Sequence, residues 1–151
     1  MLVRAAEESF DKGMKALIDG RAREALAFFE AAIALEKKFG RAKPQARYLS
    51  QYGLCLGTVT SNKREGIKFC REATTLEEYN PDLHWNLGRA YLAARRRREA
   101  HQALMRGLSL QPDHRGIASE LRRMGVRRKP MLPFLSRDNP LNMFLGRLRT
   151  S

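Results

Sequence analysis

The sequence predicts an all-α protein: an α-solenoid of three helical hairpins, a C-terminal capping helix and a basic, proline-containing tail. Three observations carry this expectation. Small residues recur in pairs, Gly13 with Ala25, Gly53 with Gly66 and Gly88 with Ala100. Apolar residues around each pair fall three and four apart, the spacing of a helix face. Gly66 and Ala100 are 34 residues apart, a period found in stacked helical repeats.

Taken in order, the first copy is FDKGMKALIDGRAREALAFFEAAIALEKK, with Gly13, Ala16, Ala25, Phe29, Ala32, Ile33 and Leu35 as landmarks. A longer linker around KFGRAKPQ follows, so Ala25 and Gly66 stand 41 residues apart. The second copy carries Tyr52, Gly53, Leu56, Gly66, Cys70, Ala73, Leu76 and a late Pro81. The third is HWNLGRAYLAARRRREAHQALMRGLSLQP, with Leu87, Gly88, Tyr91, Ala100, Leu104, Gly107, Leu108, Leu110 and Pro112. The copies run roughly over residues 6–39, 46–80 and 81–112. A glycine inside a helix costs roughly 1 kcal/mol against alanine, so three in equivalent places answer a packing need. Phe29, Leu56, Tyr91, Leu104 and Leu108 fill the gaps beside them. One hairpin cannot bury its apolar face alone, whereas stacked neighbours can. Residues 113–125 then read as a capping helix that completes a domain over 1–125. Asp113 is its expected N-cap, Ile117, Leu121 and Met124 recur along it, and Gly125 ends it.

The third copy resembles a tetratricopeptide repeat, whose pattern is W-x2-L-G-x2-Y, then A-x3-F, then P. His84 stands in place of the Trp and Leu104 in place of the Phe; the other landmarks match in type and spacing. The resemblance spans roughly residues 3–115. It implies a non-enzymatic adaptor that binds a peptide or helix of a partner protein on a concave face made by the first helices. On that face the resemblance places Phe10, Met14, Leu17, Arg47, Gln51, Leu54, Trp85, Asn86 and Arg89. Trp85, the single tryptophan, stands near Arg89 and is the expected hot spot. Members that bind chaperone tails hold a terminal carboxylate with Lys, Asn and Arg. The matching places here, Phe10, Met14, Gln51, Asp82 and Asn86, supply no cation, so a receptor for chaperone tails is not expected. The closing stretch LPFLSRDNPLN resembles tails that follow such arrays in some bacterial proteins, which implies a bacterial source.

Charge raises a second possibility. The chain carries 29 Lys and Arg against 16 Asp and Glu, a net of +13. Acidic partners are therefore favoured. Eight cations fall at the turns inside the hairpins: Arg21 and Arg23, Lys63 and Arg64, and Arg95, Arg96, Arg97 and Arg98. Stacking aligns these turns, so they form a basic ridge. The alternative function is an electrostatic module that attaches to nucleic acid or an anionic membrane through this ridge and the tail. The ridge has no aromatic residue to stack on bases, which argues against sequence-specific reading of nucleic acid.

Residues 126–151 form the tail. Pro130 and Pro133 prevent a continuous helix. Asn139 and Pro140 then mark a helix start, and Leu141, Phe144, Leu145 and Leu148 follow at i, i+3, i+4 and i+7. Such a short helix needs a surface to rest on. Three remain open: its own array, another protein including a second copy, or an anionic membrane. Cys55 and Cys70 form no metal or redox spacing and read as buried free thiols, which suits a reducing, cytoplasmic setting. No apolar run is long enough to span a membrane. His84 and His101 read as structural residues. No catalytic constellation, cofactor motif or metal spacing stands out, so an enzyme is not expected.

Overall fold

The computed structural model describes residues 2–39 and 43–125. Seven helices occur among them, and no strand. Helix α1 (Leu2–Ile18) pairs with α2 (Ala22–Lys38), α3 (Ala46–Val59) with α4 (Lys63–Leu76), and α5 (Pro81–Ala93) with α6 (Arg97–Leu110). Helix α7 (Arg115–Met124) packs on α6 and α5. Each second helix also packs on the next first helix, α2 on α3 and α4 on α5, while α3 lies against α5. The result is two layers, α1, α3 and α5 in one and α2, α4 and α6 in the other. The expected tail-docking residues Leu141, Phe144, Leu145 and Leu148 lie outside the described residues.

The hairpins close because small residues let backbones meet. A Cβ on Gly53 would lie 2.6 Å from the Gly66 carbonyl oxygen, and one on Gly66 would lie 2.6 Å from that of Gly53. In the other two hairpins the space is taken by a large side chain. A Cβ on Gly13 would strike the Phe29 ring at 2.6 Å, and one on Gly88 would strike Leu104 at 2.6 Å. Ala25, Phe29, Cys70, Ala100 and Leu104 are fully buried at these contacts. Burial of a Phe or Leu side chain contributes about 2 kcal/mol. The core is divided accordingly. One cluster joins the first two hairpins around Phe10, Phe29, Tyr48 and Leu49. A second joins the next two around Leu54, Ile67, Cys70 and Leu87.

Helix ends follow local chemistry. Gly20 turns α1 into α2 with φ 76°, and the Arg21 N–H donates to the Ala16 carbonyl at 2.8 Å. Arg95 occupies the same place in the third hairpin with φ 59°, and the Arg96 N–H donates to Tyr91 at 2.9 Å. Both are left-handed C-terminal turns, where glycine is the usual residue. Asn80 caps α5 by accepting from the Asp82 N–H at 3.1 Å, with Pro81 at the first position. The cap of α7 corrects the sequence expectation: it is His114, not Asp113. His114 Nδ1 accepts from the Ile117 N–H at 3.1 Å, and its Nε2 faces Asp82 Oδ1 at 2.9 Å. An imidazole nitrogen does here what a short carboxylate was expected to do, and the second nitrogen ties the cap to α5.

Candidate functional site

The open face of the α1–α3–α5 layer is the place where the expected groove residues belong. It is stitched by charge. Arg47 on α3 pairs with Glu7 on α1, and Tyr48 Oη donates to the same carboxylate at 2.6 Å. The Arg47 guanidinium also lies over the rings of Phe10 and Tyr48, 5.0 and 5.1 Å from their centroids. Hydrogen bonds first from Arg47 and then from Tyr48 hold the Glu7 carboxyl below its ordinary range. Burial, reinforced by Glu7, pushes the Tyr48 hydroxyl well up. At the other end Arg89 on α5 approaches Glu120 on α7 at 3.9 Å and lies 5.2 Å from the centre of the Trp85 ring.

Of the nine residues expected to line a groove, the structure keeps some at this surface and withdraws others. Arg47 is exposed, and Gln51 and Arg89 are half-buried. Met14 and Leu17 are half-buried against the first core cluster. Phe10, Leu54 and Asn86 are corrected to interior positions. Phe10 is stacked on Tyr48 with centroids 4.7 Å apart and tilted on Phe29 at 5.4 Å. Leu54 belongs to the second core cluster. Asn86 Nδ2 donates to Ser50 Oγ at 3.0 Å inside the α3–α5 contact, where a polar side chain needs a partner.

Trp85 is half-buried at this surface, beneath α7. Helix α7 crosses it so closely that a Cβ on Gly116 would lie 2.5 Å from the indole. The His114 ring meets its edge at 5.2 Å, and Trp85 Nε1 is buried without a hydrogen-bond partner among the described residues. The sequence could not show this, because spacing along α5 does not reveal which helix covers it.

Glu7 and Glu120 were missed by the sequence reading, although a signal for Glu7 exists. Glu7, Arg47 and Asp82 each stand six places before a landmark glycine, Gly13, Gly53 and Gly88. In a stack such equivalent positions are neighbours, so acid beside base announces a bridge.

The basic ridge is largely answered by its own surroundings. Arg21 pairs with Asp19 at 2.8 Å and with Glu24. Lys63 Nζ donates to the Gly57 carbonyl, and Arg97 to that of Met124 at the end of α7. Arg96 pairs with Glu99 at 2.6 Å, lies 5.1 Å from the Tyr91 ring centre and lowers the Glu99 carboxyl below its ordinary range. Arg23, Arg64 and Arg98 are exposed and have no ion pair among the described residues.

Cys55 and Cys70 are free and buried, and burial pushes their thiols up to about 11 and about 12. Such thiols are poor nucleophiles. His84 is buried with Nε2 2.8 Å from the Glu78 carbonyl, as a structural residue would be. His101 is instead exposed on α6, which corrects its assignment to packing. Among the described residues no group of His, Cys, Asp and Glu is arranged to hold a metal ion. No described helix is long and apolar enough to cross a membrane.

No family model and no curated protein matches the chain. Solved structures do. The tetratricopeptide domain of Arabidopsis OM64 is similar over 82% of this chain and 97% of its own, with 19% identity and a TM-score of 0.67. The first such domain of Spaghetti (RPAP3), solved with the HSP90 peptide SRMEEVD, is similar over 80% of this chain and 90% of its own, with 18% identity and a TM-score of 0.65. PcrH, solved in complex with the chaperone binding region of PopB, covers 79% of this chain and 93% of its own, with 17% identity and a TM-score of 0.61. Two layers of paired helices, glycine-mediated contacts within each pair and these likenesses agree: the chain has the fold of a tetratricopeptide-repeat array, an all-α solenoid of three hairpins and a closing helix.

Proposed function

We propose that the chain is a non-enzymatic adaptor that holds a segment of a partner protein on the α1–α3–α5 face. The observation that carries this is the row Arg47, Gln51 and Arg89, polar groups at the surface of first helices, with Met14 and Leu17 half-buried beside it. A few placed polar groups on an apolar floor suit an amphipathic segment. Solved structures of the same fold with peptides support the reading: Spaghetti with an HSP90 peptide and PcrH with a region of PopB. Both arginines already face acids, Glu7 and Glu120. An acidic partner would displace these carboxylates, so recognition proceeds as an exchange of ion pairs rather than by desolvating a bare charge. The buried free thiols suit a reducing, cytoplasmic setting.

The test uses the full chain immobilised against lysate of the native host, with captured proteins identified by mass spectrometry. The triple change Arg47→Ala, Gln51→Ala, Arg89→Ala is expected to weaken capture of a given partner at least about tenfold, as truncation of central contacts does. Arg23→Gln, which changes an exposed cation in the first turn of α2, is the control. Undiminished capture by the triple variant would rule out this face. Trp85→Ala is unsuitable as a probe, because Trp85 supports α7.

A further inference from the structure

On the other layer the cations behave differently. Arg64, Lys68 and Arg71 stand at i, i+4 and i+7 of α4 and so share one stripe of its surface. Thr75 continues the stripe, and Arg96, from the start of α6, reaches in beside it. With Ile67 and Glu72 these side chains line an open cleft of about 310 Å³. Among the described residues that line it, four cations therefore face one carboxylate. Lys68 is tied to Glu65 at 3.2 Å and Arg96 to Glu99. Arg64 and Arg71 have no ion pair among the described residues. This contrasts with Arg47 and Arg89 on the α1–α3–α5 face, each of which meets an acid.

The geometry points to a second docking site: we propose that this cleft takes an acidic segment of a protein partner, one whose carboxylates recur at one- and two-turn spacing. Arg64 and Arg71 are separated by about 10 Å along the α4 axis, two helical turns. Carboxylates at i, i+4 and i+7 of a partner helix repeat that spacing. A guanidinium binds a carboxylate through two parallel hydrogen bonds, which makes the paired register specific. The cations are strung along a helix rather than gathered about one point, so the site fits a series of acids better than a single phosphate. Among the described residues no aromatic side chain lines the cleft, so none there is offered for stacking bases. The site lies on α4 and the start of α6, away from the face proposed above, and does not depend on that proposal.

The experiment is fluorescence anisotropy with the full chain and a labelled helical peptide bearing Glu at i, i+4 and i+7, at low salt. Wild type is expected to bind, and a peptide with Gln at those places is not. Arg64→Gln with Arg71→Gln is expected to weaken binding at least about tenfold, the scale of losing two charge-assisted forks. Arg4→Gln with Arg23→Gln removes the same charge elsewhere and is expected to change affinity less than about twofold, a general field effect. Arg64→Lys with Arg71→Lys keeps the charge and loses the forks; an intermediate loss supports the register. Circular dichroism checks that each variant remains helical, and the lysine pair decides the matter if the glutamine pair does not. Equal weakening by the two glutamine pairs would reduce the effect to net charge and overturn the site. Absence of wild-type binding would overturn it as well. So would tighter binding by an oligothymidylate that displaces the peptide. Arg89→Ala is expected to bind this peptide as wild type does, which separates the two surfaces.

Discussion

Arg95 to Arg98 look like one basic cluster, yet the chain uses them separately. Arg95 takes the left-handed turn that glycine takes at position 20. Arg96 answers Glu99 and covers Tyr91, Arg97 closes a carbonyl of α7, and Arg98 is exposed. A run of like charge in sequence is thus dispersed by the turn that contains it. Glu7 shows the reverse, a residue whose role exists only through distant partners. Its carboxyl is depressed in the folded state by Arg47 and Tyr48. Its stabilisation is therefore complete above the unfolded value of about 4.3 and is lost as pH falls through the lower folded value. Glu7→Gln is expected to cost under about 1 kcal/mol at neutral pH, since the pair is half-exposed and screened. Urea unfolding of both proteins should show that difference closing as the pH is lowered from about 5 to about 3. A difference that persists unchanged through acid would show that the charge of Glu7 is not what stabilises.

At the scale of elements, glycines of similar appearance do different things. Gly53 and Gly57 lie one turn apart on α3. A Cβ at Gly53 would press on the Gly66 carbonyl, which is backbone and cannot step aside; at Gly57 the nearest contact is 3.8 Å. Gly53→Ala is expected to destabilise by about 3 kcal/mol through overpacking. Gly57→Ala is expected to be neutral or to stabilise by up to about 1 kcal/mol through helix propensity. Chemical unfolding of the two variants checks this; equal effects would refute the close contact between α3 and α4. The pairing of Gly53 with Gly66 was legible in the sequence because both stand at landmark positions of one hairpin. The positions of Phe10, Leu54 and Asn86 were not. Helical spacing marks a face but not its neighbour: Phe10 meets Tyr48, 38 residues on, Asn86 meets Ser50, 36 residues back, and the cluster around Leu54 reaches Leu87 in the next hairpin.

Across the whole molecule, stability is distributed over junctions between hairpins, and α7 finishes the last one. Ile117 is fully buried, and a Cβ on Gly107 would lie 2.6 Å from its Cδ1. Ile117→Ala is expected to cost about 3 kcal/mol, as removal of a core aliphatic does. Loosening of α7 should also expose Trp85, shifting its fluorescence to the red at urea concentrations where the helical signal is still intact. Unchanged emission would mean that α7 does not depend on Ile117. The repeat, the number of hairpins and the closing helix could be read from the chain alone, because close helix packing demands small residues at regular intervals and such demands are local. Which charges answer each other, what covers Trp85 and where four cations share a cleft were settled only in three dimensions. Those contacts join residues of different helices, and no interval along one helix measures the distance between two.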